Sequence, residues 1–99
     1  MDVPLKDKDD DRRRAPRVDF ECVVMIAHGT EGFVAQMENV SAVGCCTSRP
    51  DDWSLDVGEH VRLYLLIDLR HVFSAPARVA WASERFIGFE YLEPQPLPA

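Results

Sequence analysis

The chain has 99 residues, of which 46% are hydrophobic and 28% charged, a composition typical of one globular domain with a modest core. Its formal net charge of −6 opposes general binding to nucleic acids, because affinity for their phosphates depends on summed positive charge. The apolar runs fall short of the roughly 20 residues that span a bilayer, and the charged N-terminus lacks the apolar core of a secretory signal. We therefore expect a cytoplasmic protein that neither inserts into a membrane nor binds nucleic acid.

The three cysteines, Cys22, Cys45 and Cys46, favour neither a disulfide framework nor a metal site. Their number is odd and two are adjacent, so in a strand those two side chains would point to opposite faces. No CxxC or HxxxH spacing connects them with a histidine, and we expect buried thiols, no metal and no cofactor.

No carboxylate or histidine stands in a recognisable catalytic arrangement, so we expect a protein that is not an enzyme, with His28 exposed rather than catalytic.

The distribution of apolar residues divides the chain into three parts. Residues 1–11 are polar and mostly charged, which is typical of a flexible acidic arm. Residues 12–92 contain alternating, β-branched stretches that predict a β-barrel domain. Residues 93–99 form a tail with Pro94, Pro96 and Pro98, which can continue neither a helix nor a sheet.

Six strands are predicted, each bounded by turn residues. They cover residues 18–27, 33–38, 45–48, 61–69, 72–83 and 86–92. This pattern favours an all-β fold, a small six-stranded antiparallel barrel that leaves no open sheet edge. Pro76 cannot donate a backbone hydrogen bond, so we expect an edge, a bulge or a bend there. Trp81 and Phe89 are expected to fill the interior, and Trp53 to cover one end of it.

A basic cluster at residues 12–17 (RRRAPR) precedes the first predicted strand. Guanidinium groups are planar forks of donors that match phosphate oxygens and the O6/N7 edge of guanine. Pro16 keeps Ala15 out of helical geometry, so the cluster is expected on an extended or turning segment. Taken alone, the cluster could also be a solvated charge run, partly neutralised by the acidic residues 9–11. On an acidic protein, however, a local basic cluster suits a small anionic ligand.

A second polar motif, Asn39-x-Ser41-x-x-Gly44, follows the second predicted strand. Asn39 and Ser41 are two residues apart and would project from one face in extended geometry. In a small barrel, the segment that enters the first strand can lie near the end of the second. The spacing Arg13-x-x-x-Arg17 followed by this motif resembles the two-part signature of PilZ domains, the bacterial receptors for cyclic di-GMP.

The later part of the chain is similar to that family as well. Residues 55–59 (LDVGE), 77–81 (ARVAW) and 87–91 (IGFEY) look like its later strands, so the resemblance covers about residues 12–92. It implies the same six-stranded barrel. PilZ domains commonly continue into a C-terminal helix, whereas this sequence becomes proline-rich after residue 92, so we expect that helix to be short or absent.

The resemblance assigns roles to the residues of the two motifs. Arg13 and Arg17 would clamp phosphate oxygens and guanine edges by charge-assisted hydrogen bonds. Asn39 and Ser41 would present an amide and a hydroxyl to a guanine or to the motif backbone. Gly44 would permit a close approach and an unusual φ.

Arg12 bears on the number of ligands. In this family an arginine directly before the first motif arginine is associated with a mutually intercalated cyclic di-GMP dimer, so the resemblance implies two ligands per domain. Arg14 occupies a variable position and is expected to be solvated.

Ligand binding would order the arginine segment and change the surface offered to a downstream protein, still unidentified. The alternative is a nucleotide-independent adaptor of the same fold acting by protein–protein contacts, although the intact motifs count against it.

Overall fold

Strands and turns, with no helix, make up residues 18–95, the part of the chain that the computed structural model describes. No membrane-crossing helix is therefore found in this part of the chain. The strands are β1 (Val18–Asp19), β2 (Val23–His28), β3 (Glu31–Val40), β4 (Gly44–Ser48), β5 (His60–Leu66), β6 (Val72–Ala82) and β7 (Phe86–Tyr91).

The strands close into a barrel in which every neighbouring pair is antiparallel. The order around the barrel is β3, β2, β5, β6, β7 and β4, and β4 pairs back with β3. Asn39 and Val40 of β3 pair with β1 on one side and with β4 on the other. Because β2 pairs with the remainder of β3, β1 and β2 form one interrupted strand. The predicted six-stranded antiparallel barrel is confirmed.

A bulge divides the first predicted strand, which was expected to be continuous over residues 18–27. Between the pairs Asp19–Asn39 and Val23–Gln36, this strand advances four residues while β3 advances three. One extra residue therefore interrupts the ladder and bends the strand. A second bulge, at Glu38 of β3, shifts the register of β3 against β4 between Met37 and Asn39.

The fourth predicted strand ends earlier than expected, at Leu66 rather than at residue 69. The Asp68 carboxylate accepts hydrogen bonds from the backbone N–H groups of Arg70 (2.8 Å) and His71 (3.0 Å). The hydrogen bond from Arg70 is the main reason that the pKa of Asp68 is lowered, so this carboxylate stays ionised. The turn it forms takes the chain out of the sheet.

The barrel interior is filled by alternate side chains from all six strands. Ile26, Leu63 and Leu65 are fully buried, and each contributes about 1.5–3 kcal/mol through removal from water. Trp53 covers one end, as predicted: its ring lies 4.9 Å from that of Phe33 and 6.1 Å from that of Phe89. Phe89 belongs to this core, as predicted.

Trp81 is not in the core, and the prediction that it would be is wrong. Val79 pairs with Phe89 and Trp81 with Gly88, so β6 advances two residues while β7 advances one. The bulge at Ala80 reverses the alternation beyond it and turns Trp81 outward, where the residue is 42% exposed. Sequence periodicity does not reveal such a bulge.

Pro76 lies within β6 opposite Arg62 of β5. Its carbonyl accepts a hydrogen bond from the backbone N–H of Leu92 (3.0 Å), just beyond the last residue of β7. In an antiparallel ladder the N–H and C=O of a residue point the same way. The donor that proline lacks therefore falls where β7 has ended, so of the three expected settings the structure fits a local edge within a strand that is otherwise paired on both sides.

His28 is partly buried rather than exposed as expected. Its Nε2 lies 3.1 Å from Glu59 Oε1, and its Nδ1 lies 3.7 Å from Glu31 Oε1. This contact joins the β2–β3 hairpin to the segment before β5.

The cysteines form no disulfide. Cys22 and Cys45 project into the core, where burial raises the pKa of Cys22 and raises that of Cys45 to about 12. The buried hydroxyl of Tyr91 makes no well-formed hydrogen bond within residues 18–95, although it is close enough to Cys45 to influence the pKa of the thiol. Both core thiols are neutral at physiological pH and poorly reactive.

Candidate functional site

A tight turn connects β3 to β4 and contains the second motif. The backbone N–H of Ser41 donates to the carbonyl of Gly44 (2.8 Å), and the N–H of Val43 donates to Ser41 Oγ (3.2 Å). The Ser41 hydroxyl also lies 3.4 Å from the Gly44 carbonyl oxygen, and Ser41 is only 5% exposed. Its side chain closes the turn and faces the motif's own backbone.

The turn is also fixed to the rest of the barrel. The backbone N–H of Tyr91 donates to the carbonyl of Val43 and that of Gln95 to the carbonyl of Ala42, each at 2.8 Å. At Gly44, an added Cβ would lie 2.2 Å from the carbonyl oxygen of Phe89. Glycine thus permits β4 to approach β7. Its φ is not positive, in contrast to the unusual backbone angle expected.

Asn39 differs from Ser41 in being available to a ligand. It pairs with Asp19 and with Cys46, and it is half-buried on the outer face because its neighbour Val40 points into the core. Its side-chain amide makes no hydrogen bond to any residue between 18 and 95. The two motif residues predicted to share one face are therefore unequal, since Asn39 faces outward and the Ser41 hydroxyl belongs to the turn.

An aromatic platform lies on the same outer face. Cross-strand pairing places Asn39, Cys46, Gly88 and Trp81 in one row across β3, β4, β7 and β6. The Trp81 indole lies over Gly88, because a Cβ added there would be 2.1 Å from Trp81 Nε1. Three strand steps separate Asn39 from Trp81, about 14 Å along the sheet. The sequence prediction placed Trp81 in the core and weighed ligand stacking only as the lesser alternative, because sequence periodicity does not reveal the bulge at Ala80.

Arg78 and Glu90 form an ion pair beside the motif. They are cross-strand partners, and Glu90 also pairs with Gly44 of β4. Arg78 Nε lies 3.0 Å from Glu90 Oε1, and Nη2 contacts the same oxygen. Both side chains are partly exposed, so the pair contributes only about 1 kcal/mol or less to stability.

The predicted site residues Arg12, Arg13 and Arg17 lie outside the described residues. Val18, which follows Arg17 directly, pairs with Val40, and Asp19 pairs with Asn39. The chain therefore leaves the arginine segment and enters the barrel one strand away from Asn39.

A groove of about 650 Å³ opens at the interruption between β1 and β2. Its lining includes three carboxylates, those of Asp19, Glu21 and Glu38. They give the groove a negative potential, which repels an anionic ligand.

Within residues 18–95, no three histidine, cysteine or acidic side chains are placed to hold a metal ion.

We expect Ser41→Ala to destabilise the barrel by about 1 kcal/mol, because the buried turn loses the hydrogen bond from Val43. Urea unfolding measures this as a lower midpoint at unchanged slope. Ser54→Ala, at an exposed position before β5, is the matched control and should be neutral. Equal stability of the two variants would contradict the structural role of the Ser41 hydroxyl.

The described barrel is similar to several solved structures. The Bacillus subtilis inhibitor of motility (MotI/DgrA) matches with a TM-score of 0.70 and 25% identity over 85% of this chain, which spans 44% of that protein. The PilZ domain of CeSA from a cellulose-synthesizing bacterium matches with a TM-score of 0.67 and 19% identity over 77% of this chain and 79% of that one. The PilZ domain of YcgR from Escherichia coli, solved with c-di-GMP, matches with a TM-score of 0.71 and 15% identity over 83% of this chain and 79% of that one.

These similarities define the protein as a PilZ-like barrel. The PilZ domain family matches residues 11–97, and the chain belongs to that family. It spans less than half the length of the Bacillus subtilis protein. The match includes both sequence motifs, the basic one at residues 12–17 and the turn that begins at Asn39.

Proposed function

We propose that the protein is a cyclic di-GMP receptor that carries out no chemistry itself and signals to a partner protein, as yet unidentified. The observation that carries this proposal is the intact turn from Asn39 to Gly44, placed one strand away from the point where the arginine segment enters the barrel. Membership of the PilZ family supports the general role of an effector for this second messenger. We place the protein in the bacterial cytoplasm, where cyclic di-GMP is available.

The charge distribution supports an arginine clamp. Cyclic di-GMP carries two phosphates, whereas the chain has a net charge of −6 and Arg78 is already paired with Glu90. Local guanidinium groups must therefore balance the phosphates. Arg13 and Arg17 are the proposed clamps, since their forks of donors match phosphate oxygens and guanine edges.

The outer face of the barrel offers complementary contacts for guanine. The Asn39 amide has both donors and an acceptor for a base edge. Trp81 presents a ring on which a second base can stack. Because the indole lies over Gly88, two strand steps separate it from Asn39, and this span of about 10 Å suits a ligand with two purines. Ser41 and Gly44 act indirectly, by holding the turn that positions Asn39.

Arg12 sets the proposed stoichiometry. An additional guanidinium beside Arg13 can hold the second molecule of an intercalated cyclic di-GMP dimer, so two ligands bind per chain. Ordering of the arginine segment on the ligand would then change the surface offered to the partner.

Isothermal titration of the full chain with cyclic di-GMP tests this function. We expect binding at micromolar ligand with two ligands per chain, and about one per chain in Arg12→Leu. A value of one for the unaltered chain would overturn the role of Arg12. Absence of heat at micromolar ligand would overturn the receptor function and favour a nucleotide-independent adaptor.

Replacing Trp81 by alanine should weaken cyclic di-GMP binding roughly tenfold or more, because base–aromatic stacking contributes about 1–3 kcal/mol. Ligand should quench the fluorescence of the exposed Trp81, while the buried Trp53 reports little change. Tyr64→Ala, which removes a ring on β5, is the control and should bind normally. Unaltered affinity of a folded Trp81→Ala protein would refute the platform.

A further inference from the structure

An apolar face covers the outside of the barrel on β2, β3, β5 and β6, away from the ends of β3 and β6 that carry Asn39 and Trp81. Met25 of β2 pairs with Val34 of β3 and with Tyr64 of β5, and Val23 pairs with Leu66, which pairs in turn with Val72. We call these six residues the apolar face: Val23, Met25, Val34, Tyr64, Leu66 and Val72. All except the partly buried Tyr64 belong to the exposed large hydrophobic residues of the protein.

The outward positions of a solvated antiparallel sheet are usually polar. Here the six outward residues of the apolar face are contiguous across four adjacent strands. Contiguous apolar surface of this kind marks an interaction site. Within residues 18–95 the six barrel strands are paired on both sides and only the two-residue β1 is paired on one side, so another molecule can associate through a face more readily than by adding a strand.

Opposite charges lie at the two ends of the apolar face. Glu21 and Glu38 are exposed at one end. Glu21 lies two residues before Val23, and Glu38 lies two residues after Gln36, the partner of Val23 on β3. Arg62, whose neighbour on β2 is Ala27, is exposed at the other end and donates to Ser74 Oγ (3.3 Å). Six residues separate Glu21 from Ala27 along the strand, about 20 Å.

This arrangement is self-complementary. Consider a two-fold axis that lies in the plane of the interface, perpendicular to the strands, at the level between Val23 and Met25. It would stack the faces of two copies with their strand directions reversed, so that each Arg62 meets the acidic end of the other copy. A two-fold interface needs such a patch, because the same residues are contributed by both subunits. Sheets pack face to face about 10 Å apart, which allows an arginine to reach across.

We propose that the apolar face is a homodimer interface in which Arg62 of each chain pairs with Glu21 and Glu38 of the other. The apolar residues form the centre and the charges the rim, the usual anatomy of a protein interface. A stable interface buries about 800 Å² on each partner, so the rim must take part along with the six apolar side chains. The interface does not depend on the ligand.

Sedimentation of the full chain without nucleotide, at about 1 μM to 1 mM, tests this interface. We expect a concentration-dependent monomer–dimer equilibrium that Met25→Glu shifts to monomer. Val57→Glu adds the same charge at an exposed apolar residue outside the apolar face and should leave the equilibrium unchanged. A monomer throughout this range, or equal effects of both variants, would overturn the proposal.

Charge reversal identifies the partner as a second copy. Arg62→Glu and Glu21→Arg should each weaken dimerisation roughly tenfold or more, because each brings like charges together twice in the dimer. The double variant restores opposite charges at both contacts and should dimerise more tightly than either single variant. If it does not, the two ends do not meet and the proposed interface is wrong. Circular dichroism verifies that each variant remains folded.

Discussion

Replacing both Arg13 and Arg17 with alanine is expected to weaken cyclic di-GMP binding by at least about 100-fold. Each guanidinium contributes charge-assisted hydrogen bonds, which are worth about 1.5–3 kcal/mol when the partner is charged. A change of 1.4 kcal/mol corresponds to a tenfold change in the dissociation constant. Titration calorimetry of the two single variants and the double variant measures the loss, and added salt should weaken binding of the unaltered chain.

Arg14→Ala is the matched control for this experiment. It removes the same charge from the same six-residue cluster but lies at the variable position of the motif. We expect its affinity to change less than about threefold, since only screened, long-range attraction is lost. If Arg14→Ala weakened binding as much as Arg13→Ala, the cluster would act as a diffuse charge and the assigned clamps would be wrong.

Gly44→Ala should destabilise the barrel strongly for so small a change. The added Cβ would lie 2.2 Å from the Phe89 carbonyl oxygen, a backbone atom that cannot move without separating β4 from β7. Overpacking of this kind costs about 1–3 kcal/mol. For a domain of this size each kcal/mol lowers the midpoint of thermal unfolding by about 4–8 °C, which calorimetry measures.

Gly32→Ala provides the comparison for Gly44→Ala. A Cβ added at Gly32 meets no atom within 4 Å, and its φ is not positive. This variant should be neutral or slightly stabilising, because alanine restricts the unfolded chain more than glycine does. Similar unfolding temperatures for the two variants would contradict the close approach at Gly44. A folded Gly44→Ala protein should also bind ligand more weakly, since the turn that positions Asn39 would move.

The sequence predicted the barrel well because its strands alternate clearly. Residues such as Leu63, Leu65 and Val79 fall at every second position, and the barrel buries them as that period requires. The motif spacing likewise identified the turn from Asn39 to Gly44. The functional assignment of Arg12, Arg13 and Arg17 depends on the family resemblance and is tested by the titrations above.

The errors arose at bulges and at turns, where one residue changes the geometry. The extra residue before Val23 divided a strand predicted to be continuous. The bulge at Ala80 moved Trp81 from the expected core to the outer face. Ser41 was expected on the same face as Asn39, but its hydroxyl closes the turn to Gly44. Periodicity assumes an uninterrupted ladder and does not detect these changes.

The sequence by itself determined the class of fold, the number of barrel strands and the two motifs, because period and spacing are local properties of the chain. Only the tertiary structure decided which strands are neighbours. Pairing across β3, β4, β7 and β6 brings Trp81 into line with Asn39, and pairing across β3, β2, β5 and β6 assembles the apolar face. Both surfaces combine residues that are distant in sequence, and the register between strands, which bulges shift, determines which side chains share a face.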